Sequence, residues 1–323
     1  MSFKLLLYRD EAYADSHIAD RYPAALKRSL PDVEVILART RAEAEAHIAT
    51  ADAAFGKLPP DLFTQAKKLR WIQCPQAGPD PSFFHPALVG SPVVVTNMRG
   101  IFNDHISAHI LAMVLSFARG LHIYARRQAA KRWETGAPTF YLPECTAIVF
   151  GVGGIGAETA RLLDALRVSV IGVDPRVPEA PHGVMELVRP DKIHAVLARG
   201  DFVISTVPES PVTRGFFNAG FFSAMKRGSI FINIGRGATT KLDELNASLR
   251  SGHLAGAGLD VFEQEPLPAE HPLWEAPGIL ITPHVAAAGP YLDDRRAEVF
   301  LDNCRRFHDG LPLRNVVDKA HWF

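Results

Sequence analysis

Over roughly the first 100 residues, short apolar runs alternate with stretches whose apolar residues recur every three or four positions. Residues 3–8, 33–37, 51–55, 69–73 and 93–96 have the length and composition of buried strands. The helical period appears between them, at 19–30 and 41–49. Strands that alternate with helices pair in parallel, because each return to the sheet needs a crossover. A longer helical pattern spans 103–127, with Ile106, Ile110, Met113, Val114 and Phe117 on one face. It leads into the turn-rich Trp133-Glu134-Thr135-Gly136-Ala137-Pro138. A second strand–helix series follows, with strands predicted at 146–150, 168–173, 202–206, 229–234, 256–261 and 279–282. Its helices are predicted at 155–166, 193–198, 219–225 and 242–251. That series is complete by Thr282, so a last helix at 290–308 is expected to return to the first domain. Two crossings between domains would make a hinge, with a cleft between them as the natural site.

Length agrees with two domains, since 323 residues exceed what one compact core holds. Lys plus Arg balance Asp plus Glu, giving a formal net charge of zero. No basic field invites nucleic acid, and no polybasic stretch invites an anionic membrane. No run approaches the roughly 20 apolar residues of a membrane span. The N-terminal Met1-Ser2-Phe3-Lys4-Leu5-Leu6-Leu7-Tyr8 reads as a strand and not a signal peptide, because Arg9-Asp10-Glu11 breaks the apolar run. Cys74, Cys145 and Cys304 are scattered and odd in number, which fits a reducing compartment. These readings describe a cytoplasmic, soluble enzyme with no call for a metal.

One motif names a ligand class. Gly151-Val152-Gly153-Gly154-Ile155-Gly156 follows the apolar strand Ala147-Ile148-Val149-Phe150 and opens a helical pattern. Asp174 ends the next strand, eighteen residues beyond Gly156. This is the context of a Rossmann dinucleotide fingerprint. Gly151 permits the tight turn, Gly153 lets the pyrophosphate approach the backbone, and Gly156 lets helix and strand pack closely. The N–H groups around Gly154 and Ile155 would hold the phosphates at the helix start. Asp174 would accept the adenine ribose hydroxyls and repel a 2′-phosphate, favouring NAD over NADP. Arg176, two residues on, leaves the opposite preference open.

Three charged residues stand near predicted strand ends of the second series. Arg236 follows Ile232-Asn233-Ile234-Gly235, Glu265 lies before Pro266, and His284 follows Thr282-Pro283. Ligands of open α/β sheets bind outside the carboxyl ends of strands, so all three can face one crevice. Singly, each has an ordinary reading as a loop charge or structural histidine.

Together with their surroundings they resemble the D-isomer-specific 2-hydroxyacid dehydrogenases. The resemblance spans nearly the whole chain. It includes Gln76-Ala77-Gly78-Pro79-Asp80, the 151–156 fingerprint, Ser205-Thr206-Val207-Pro208 and Met225-Lys226-Arg227-Gly228. It continues through Asn233-Ile234-Gly235-Arg236-Gly237, Gly258-Leu259-Asp260-Val261-Phe262, Glu265-Pro266-Leu267-Pro268 and Thr282-Pro283-His284. It implies an α/β protein of two doubly wound parallel-sheet domains. A Rossmann NAD(P)-binding domain (99–288) would be inserted into a flavodoxin-like substrate domain (1–98 with 289–323). The implied reaction moves hydride between the nicotinamide and C2 of a 2-keto or D-2-hydroxy acid. Arg236 would bind the carboxylate and polarise the ketone, His284 would exchange the proton, and Glu265 would orient His284. Main-chain N–H groups at Ala77 and Gly78 would touch the substrate carboxylate. Val207, Pro208, Ile234 and Asp260 would border the nicotinamide half of the cofactor. A homodimer built around the nucleotide domains is also implied.

Several positions depart from the family's pattern. Met98-Arg99-Gly100 replaces a Val-Pro-Gly-like turn, so Arg99 is either a charge at the cleft mouth or a solvated loop residue. Ala108 stands where the family often has Glu, which leaves His109 reading as a packing residue. The aromatic stretches Thr139-Phe140-Tyr141-Leu142 and His321-Trp322-Phe323 match poorly; they read as interface packing or as pocket lining. Fold alone does not separate an enzyme from a non-catalytic NAD(H)-responsive corepressor. The compact length favours the enzyme. Glu265 argues against formate oxidation, where an amide is typical, and phosphite oxidation stays open. The substrate side chain is undetermined: glyoxylate, hydroxypyruvate and larger keto acids such as phenylpyruvate all fit.

Overall fold

A computed structural model of the chain describes residues 2–9, 16–79 and 81–322. Met1, Asp10, Glu11, Asp80 and Phe323, each named above, lie outside the described residues. The chain divides into two compact units, one of residues 1–101 with 290–323 and one of residues 102–289.

The first unit runs β1 (Lys4–Tyr8), α1 (Tyr22–Ser29), β2 (Glu34–Ala38), α2 (Arg41–Ile48), β3 (Ala53–Phe55) and α3 (Pro60–Phe63). It continues with β4 (Trp71–Gln73), α4 (Pro86–Val89) and β5 (Val94–Thr96). The five strands lie in the order β2-β1-β3-β4-β5 and every pairing is parallel. This is the flavodoxin-like order. Leu5, Leu6 and Leu7 are all fully buried, as a parallel strand covered on both faces requires. The unit closes with a helix from the far end of the chain, Leu292–Asp309. Its Phe300 meets Tyr22, Phe55 and Trp71 at ring separations of 4.5, 4.9 and 6.0 Å. Burying such a side chain contributes roughly 1.5–3 kcal/mol. A polar chain crosses the same core with its groups paired. Trp71 Nε1 donates to Thr96 Oγ1, Thr96 to Gln73 Oε1, and Asn303 Nδ2 to the same oxygen.

The second unit holds α5 (Asn103–Ala118), α6 (Leu121–Ala129), β6 (Thr146–Phe150), α7 (Gly154–Ala165), β7 (Ser169–Val173) and β8 (Glu186–Val188). Then come α8 (His194–Leu197), β9 (Phe202–Ser205), α9 (Ala219–Ala224), β10 (Ile230–Asn233), α10 (Leu242–Arg250), β11 (Gly256–Leu259) and β12 (Ile279–Ile281). The helix that closes the first unit is thus α11. The seven strands are ordered β12-β11-β10-β9-β6-β7-β8, all parallel. Winding runs outward from β6 to β8 and then reverses to β9, which places the topological switch point between β6 and β9. Alternate residues of β6 serve opposite cores: Ile148 and Phe150 in one, Ala147 and Val149 in the other.

The sequence reading needs three corrections. The helix predicted over 103–127 is two helices, bent by 74°. Gly120 sits between them at φ +65°, a left-handed conformation that ends a helix. The apolar spacing continues across the break, so periodicity alone misses it. The helix predicted from residue 19 begins at Tyr22, with a 3-10 turn at Ser16–Arg21 before it; Pro23 in its first turn is the missed start signal. Strand β8 was not predicted, because three residues at a sheet edge carry too little pattern.

Candidate active site

The glycine turn lies at the carboxyl end of β6, at the switch point. Gly151 has φ +82°, so it occupies the conformation that glycine tolerates. A Cβ on Gly156 would stand 1.8 Å from the Gly151 carbonyl oxygen, so the first helical turn packs directly on the loop. A Cβ on Gly153 would meet nothing within 4 Å, which leaves its face open for a ligand to approach. Helix α7 has no side-chain cap at its start. Helix geometry leaves the N–H groups of Gly154, Ile155 and Gly156 without intrahelical acceptors. These features fit the pyrophosphate of a dinucleotide. Thr206 Oγ1 donates to the Gly151 carbonyl at 2.7 Å and so braces the turn from the end of β9; the sequence reading gave Thr206 no such role.

Asp174 is 3% exposed and already engaged. Its Oδ2 accepts from Val152 N at 3.1 Å, and its Oδ1 accepts from Arg176 N and Val177 N at 2.8 and 3.1 Å. The carboxylate therefore also holds the glycine turn in place, a job that the ribose reading did not include.

Arg236 follows β10. Asn233 shapes its turn, donating from Nδ2 to the Arg236 carbonyl while its Oδ1 accepts from Gly235 N at 2.9 Å. Gly235 and Gly237 allow neighbouring backbone to close in. Added Cβ atoms would stand 2.3 Å from the Val207 carbonyl oxygen and 1.8 Å from that of Phe262. The segments bearing Val207, Arg236 and Phe262 therefore converge at one end of the sheet.

His284 Nδ1 stands 2.6 Å from Glu265 Oε2, and Glu265 Oε1 accepts from Phe262 N at 2.9 Å. Both side chains keep access to solvent, His284 at 49% and Glu265 at 35%. The hydrogen bond to Glu265 lifts the His284 pKa above its ordinary value, against desolvation and the positive charge of Arg236. Burial pushes Glu265 upward, but the bonds from His284 and Phe262 outweigh it and hold the carboxyl below its ordinary value. The pair is thus biased toward imidazolium and carboxylate.

The other predicted positions divide into surface, backbone and core. Asp260 is 1% exposed and accepts from Thr282, Val285 and Ala286. Ile234 is 6% exposed, with its side chain in the core beside β6 and its N–H donating to the Ser205 carbonyl at 3.2 Å. Val207 packs partly into the opposite core, and the Pro208 carbonyl accepts from Thr213. In the first unit, the Ala77 carbonyl accepts from Asn97 Nδ2 at 2.7 Å, next to Gly78. Arg99 is exposed on its loop. Phe140 packs on Phe202 at 5.1 Å, whereas Tyr141 is 64% exposed. Trp322 packs on the core of the first unit. His109 is corrected from a packing residue to a polar one: its Nε2 lies 3.0 Å from Thr282 Oγ1.

Residues 111–286, more than half of the chain, match the family model for the D-isomer specific 2-hydroxyacid dehydrogenase NAD binding domain. Glyoxylate/hydroxypyruvate reductase A of Photorhabdus laumondii is 33% identical over 210 residues, which are 65% of this chain and 66% of that one. A D-isomer specific 2-hydroxyacid dehydrogenase from Xanthobacter autotrophicus, solved with NADPH and MES, superposes with a TM-score of 0.86 at 29% identity over 100% of both chains. An NADPH-dependent glyoxylate/hydroxypyruvate reductase from Sinorhizobium meliloti, solved with NADP and sulfate, gives 0.83 at 30% identity, again over 100% of both chains. The parallel sheets, the fingerprint at the switch point and these matches lead to one conclusion: the chain belongs to the D-isomer-specific 2-hydroxyacid dehydrogenase family and is an NAD(P)-dependent oxidoreductase of 2-hydroxy and 2-keto acids.

Proposed function

We propose that the chain reduces a small 2-keto acid, with Arg236 binding substrate, His284 supplying the proton and Glu265 orienting His284. The observation that carries this is the 2.6 Å contact between His284 Nδ1 and Glu265 Oε2. It leaves the other ring nitrogen, Nε2, for a substrate oxygen and biases the ring toward its protonated form. When bound, the reduced nicotinamide supplies the hydride that goes to C2. Arg236 pairs with the substrate carboxylate and draws electron density from the ketone, for which a planar multi-donor cation is suited. The imidazolium of His284 gives its proton to the ketone oxygen as the hydride arrives, leaving a neutral ring that is reprotonated from solvent. Oxidation of the hydroxy acid runs the same transfers backward and needs a neutral His284.

Relatives named glyoxylate/hydroxypyruvate reductases support two- and three-carbon keto acids as the first substrates to assay. Cofactor preference follows the opposed charges at the end of β7. The Asp174 carboxylate disfavours a 2′-phosphate and Arg176 favours one, and we assign NAD as the preferred form with NADP also accepted. Helix α6 has none of its residues buried, and Leu121 and Trp133 are 54% and 100% exposed. This surface supports assembly of the second unit into a homodimer.

A panel of glyoxylate, hydroxypyruvate and phenylpyruvate, assayed with NADH and NADPH, tests the reading. His284→Ala should reduce turnover by about 10²–10⁴-fold while NADH still binds. Unchanged steady-state rates would remove His284 from the mechanism. Cofactor binding without turnover on any acid would leave only the NAD(H)-responsive binding protein.

A further inference from the structure

The segment that carries His284 is held from the side by α5. His105 and His109 lie one turn apart and so share a face of that helix. His109 Nε2 is 3.0 Å from Thr282 Oγ1, which donates its own proton to Asp260 Oδ1 at 2.6 Å. A hydroxyl has one proton and two lone pairs. Thr282 therefore accepts from His109, which must carry a proton on Nε2. Asp260 in turn gathers the rest of the loop. Its Oδ1 accepts from Val285 N, its Oδ2 from Ala286 N, and its main-chain oxygen from His284 N at 2.8 Å. His105 closes the far end, where a Cβ on Gly289 would stand 2.4 Å from its ring.

These bonds matter because His284 has φ +54°, in the left-handed region. A non-glycine residue there is disfavoured by roughly 1–2 kcal/mol and persists only where its surroundings over-determine it. In that conformation Nδ1 meets Glu265 Oε2 at 2.6 Å. We propose that His109 is a positioning residue for the proton-transfer step, acting through Thr282 and Asp260 to hold the His284 loop. It touches neither Glu265 nor the reacting atoms in this assignment. The inference rests on the reading of His284 as the acid.

The test compares full-length His109→Leu, which removes the donor, with His109→Gln, which keeps an N–H. His284→Ala is the reference. The readouts are kcat for keto-acid reduction across pH, and NADH affinity by fluorescence titration. The charged groups facing His284 are Glu265, Arg236 and Asp260, and all three are retained in both His109 variants. His109→Leu should lower kcat between about 10- and 100-fold, as a misplaced catalytic group does. Its alkaline limb should move to lower pH, because a displaced ring loses Glu265. NADH affinity should hold within about 2-fold, and His109→Gln should recover most of both losses. A wild-type profile in His109→Leu would overturn the proposal, as would equal loss in both variants with an unmoved limb. If His284→Ala itself kept wild-type turnover, the parent reading would fail instead, and the two failures are therefore distinct.

Discussion

Glu265 is held by two contacts at once: one carboxylate oxygen accepts from the main-chain N–H of Phe262, and the other meets His284 Nδ1 at 2.6 Å. The first contact sets the direction of the carboxylate, and the second transmits that direction to the imidazole. His284 is thereby tied to the same segment against which the Arg236 turn closes.

The His284–Glu265 pair predicts a signed pH dependence. The Glu265 hydrogen bond raises the His284 pKa, so in the proposed reading the proton needed for ketone reduction is kept to higher pH than on an ordinary imidazole and is lost as pH rises through the raised value. Glu265→Gln removes the main cause of the shift and leaves the opposing Arg236 charge. The alkaline limb of kcat/KM for reduction should move to lower pH, and oxidation should begin to rise at lower pH. A limb that stays in place would show that Glu265 does not control this titration.

Arg236 acts in this reading on both the bound carboxylate and the developing oxyanion. Arg236→Ala should therefore raise KM and lower kcat together, with kcat/KM falling by about 10²–10³-fold or more. Arg236→Lys should recover only part, because an ammonium is a point charge without the planar fork. Steady-state kinetics with the best acid of the panel would check this. An unchanged kcat/KM in Arg236→Ala would contradict the role.

The three main-chain N–H bonds to Asp174 alter what its removal should do. Asp174→Ala should weaken NADH and NADPH alike by loosening the turn at Val152. It should also narrow the ratio between them, because a negative charge leaves the site. Loss of affinity with an unchanged ratio would assign Asp174 to the turn alone. The ratio of the two dissociation constants is the measurement.

Gly237 offers a test of how the site is assembled. Its added Cβ would stand 1.8 Å from the Phe262 carbonyl oxygen, and backbone cannot step aside as a flexible side chain can. Gly237→Ala should destabilise the second unit by roughly 1–3 kcal/mol, the range for overpacking. It should also reduce kcat, since the Arg236 turn and the Glu265 segment are pushed apart. Thermal melting and turnover would be read together; a wild-type melting temperature would refute the close approach.

Much of this molecule was legible in its residue pattern. Apart from the edge strand β8, the parallel strands of both units announce themselves as apolar runs, because a strand covered on both faces cannot alternate with polar residues. The fingerprint was equally legible, since its glycines answer local demands: a positive φ at Gly151 and a near-contact at Gly156. Arg236, Glu265 and His284 stand out in the sequence as charges after strand ends, but their proposed roles come from the family resemblance; the structure adds the contact of Glu265 with His284. The break at Gly120 was not seen, because the apolar period continues through it and only φ records the change of direction.

What only the tertiary structure decided is which polar groups meet. Asp260, expected beside the nicotinamide, also clamps the His284 loop from a buried position; His109, expected as packing, hydrogen-bonds Thr282. Asp174 looked like a ribose ligand and also braces Val152. Periodicity and motif spacing are properties of neighbours along the chain, so sequence determines the elements and the ends that carry chemistry. Hydrogen-bond partners such as Asp260 and Ala286, twenty-six positions apart, are chosen by how strands and helices pack, and no local signal encodes that choice.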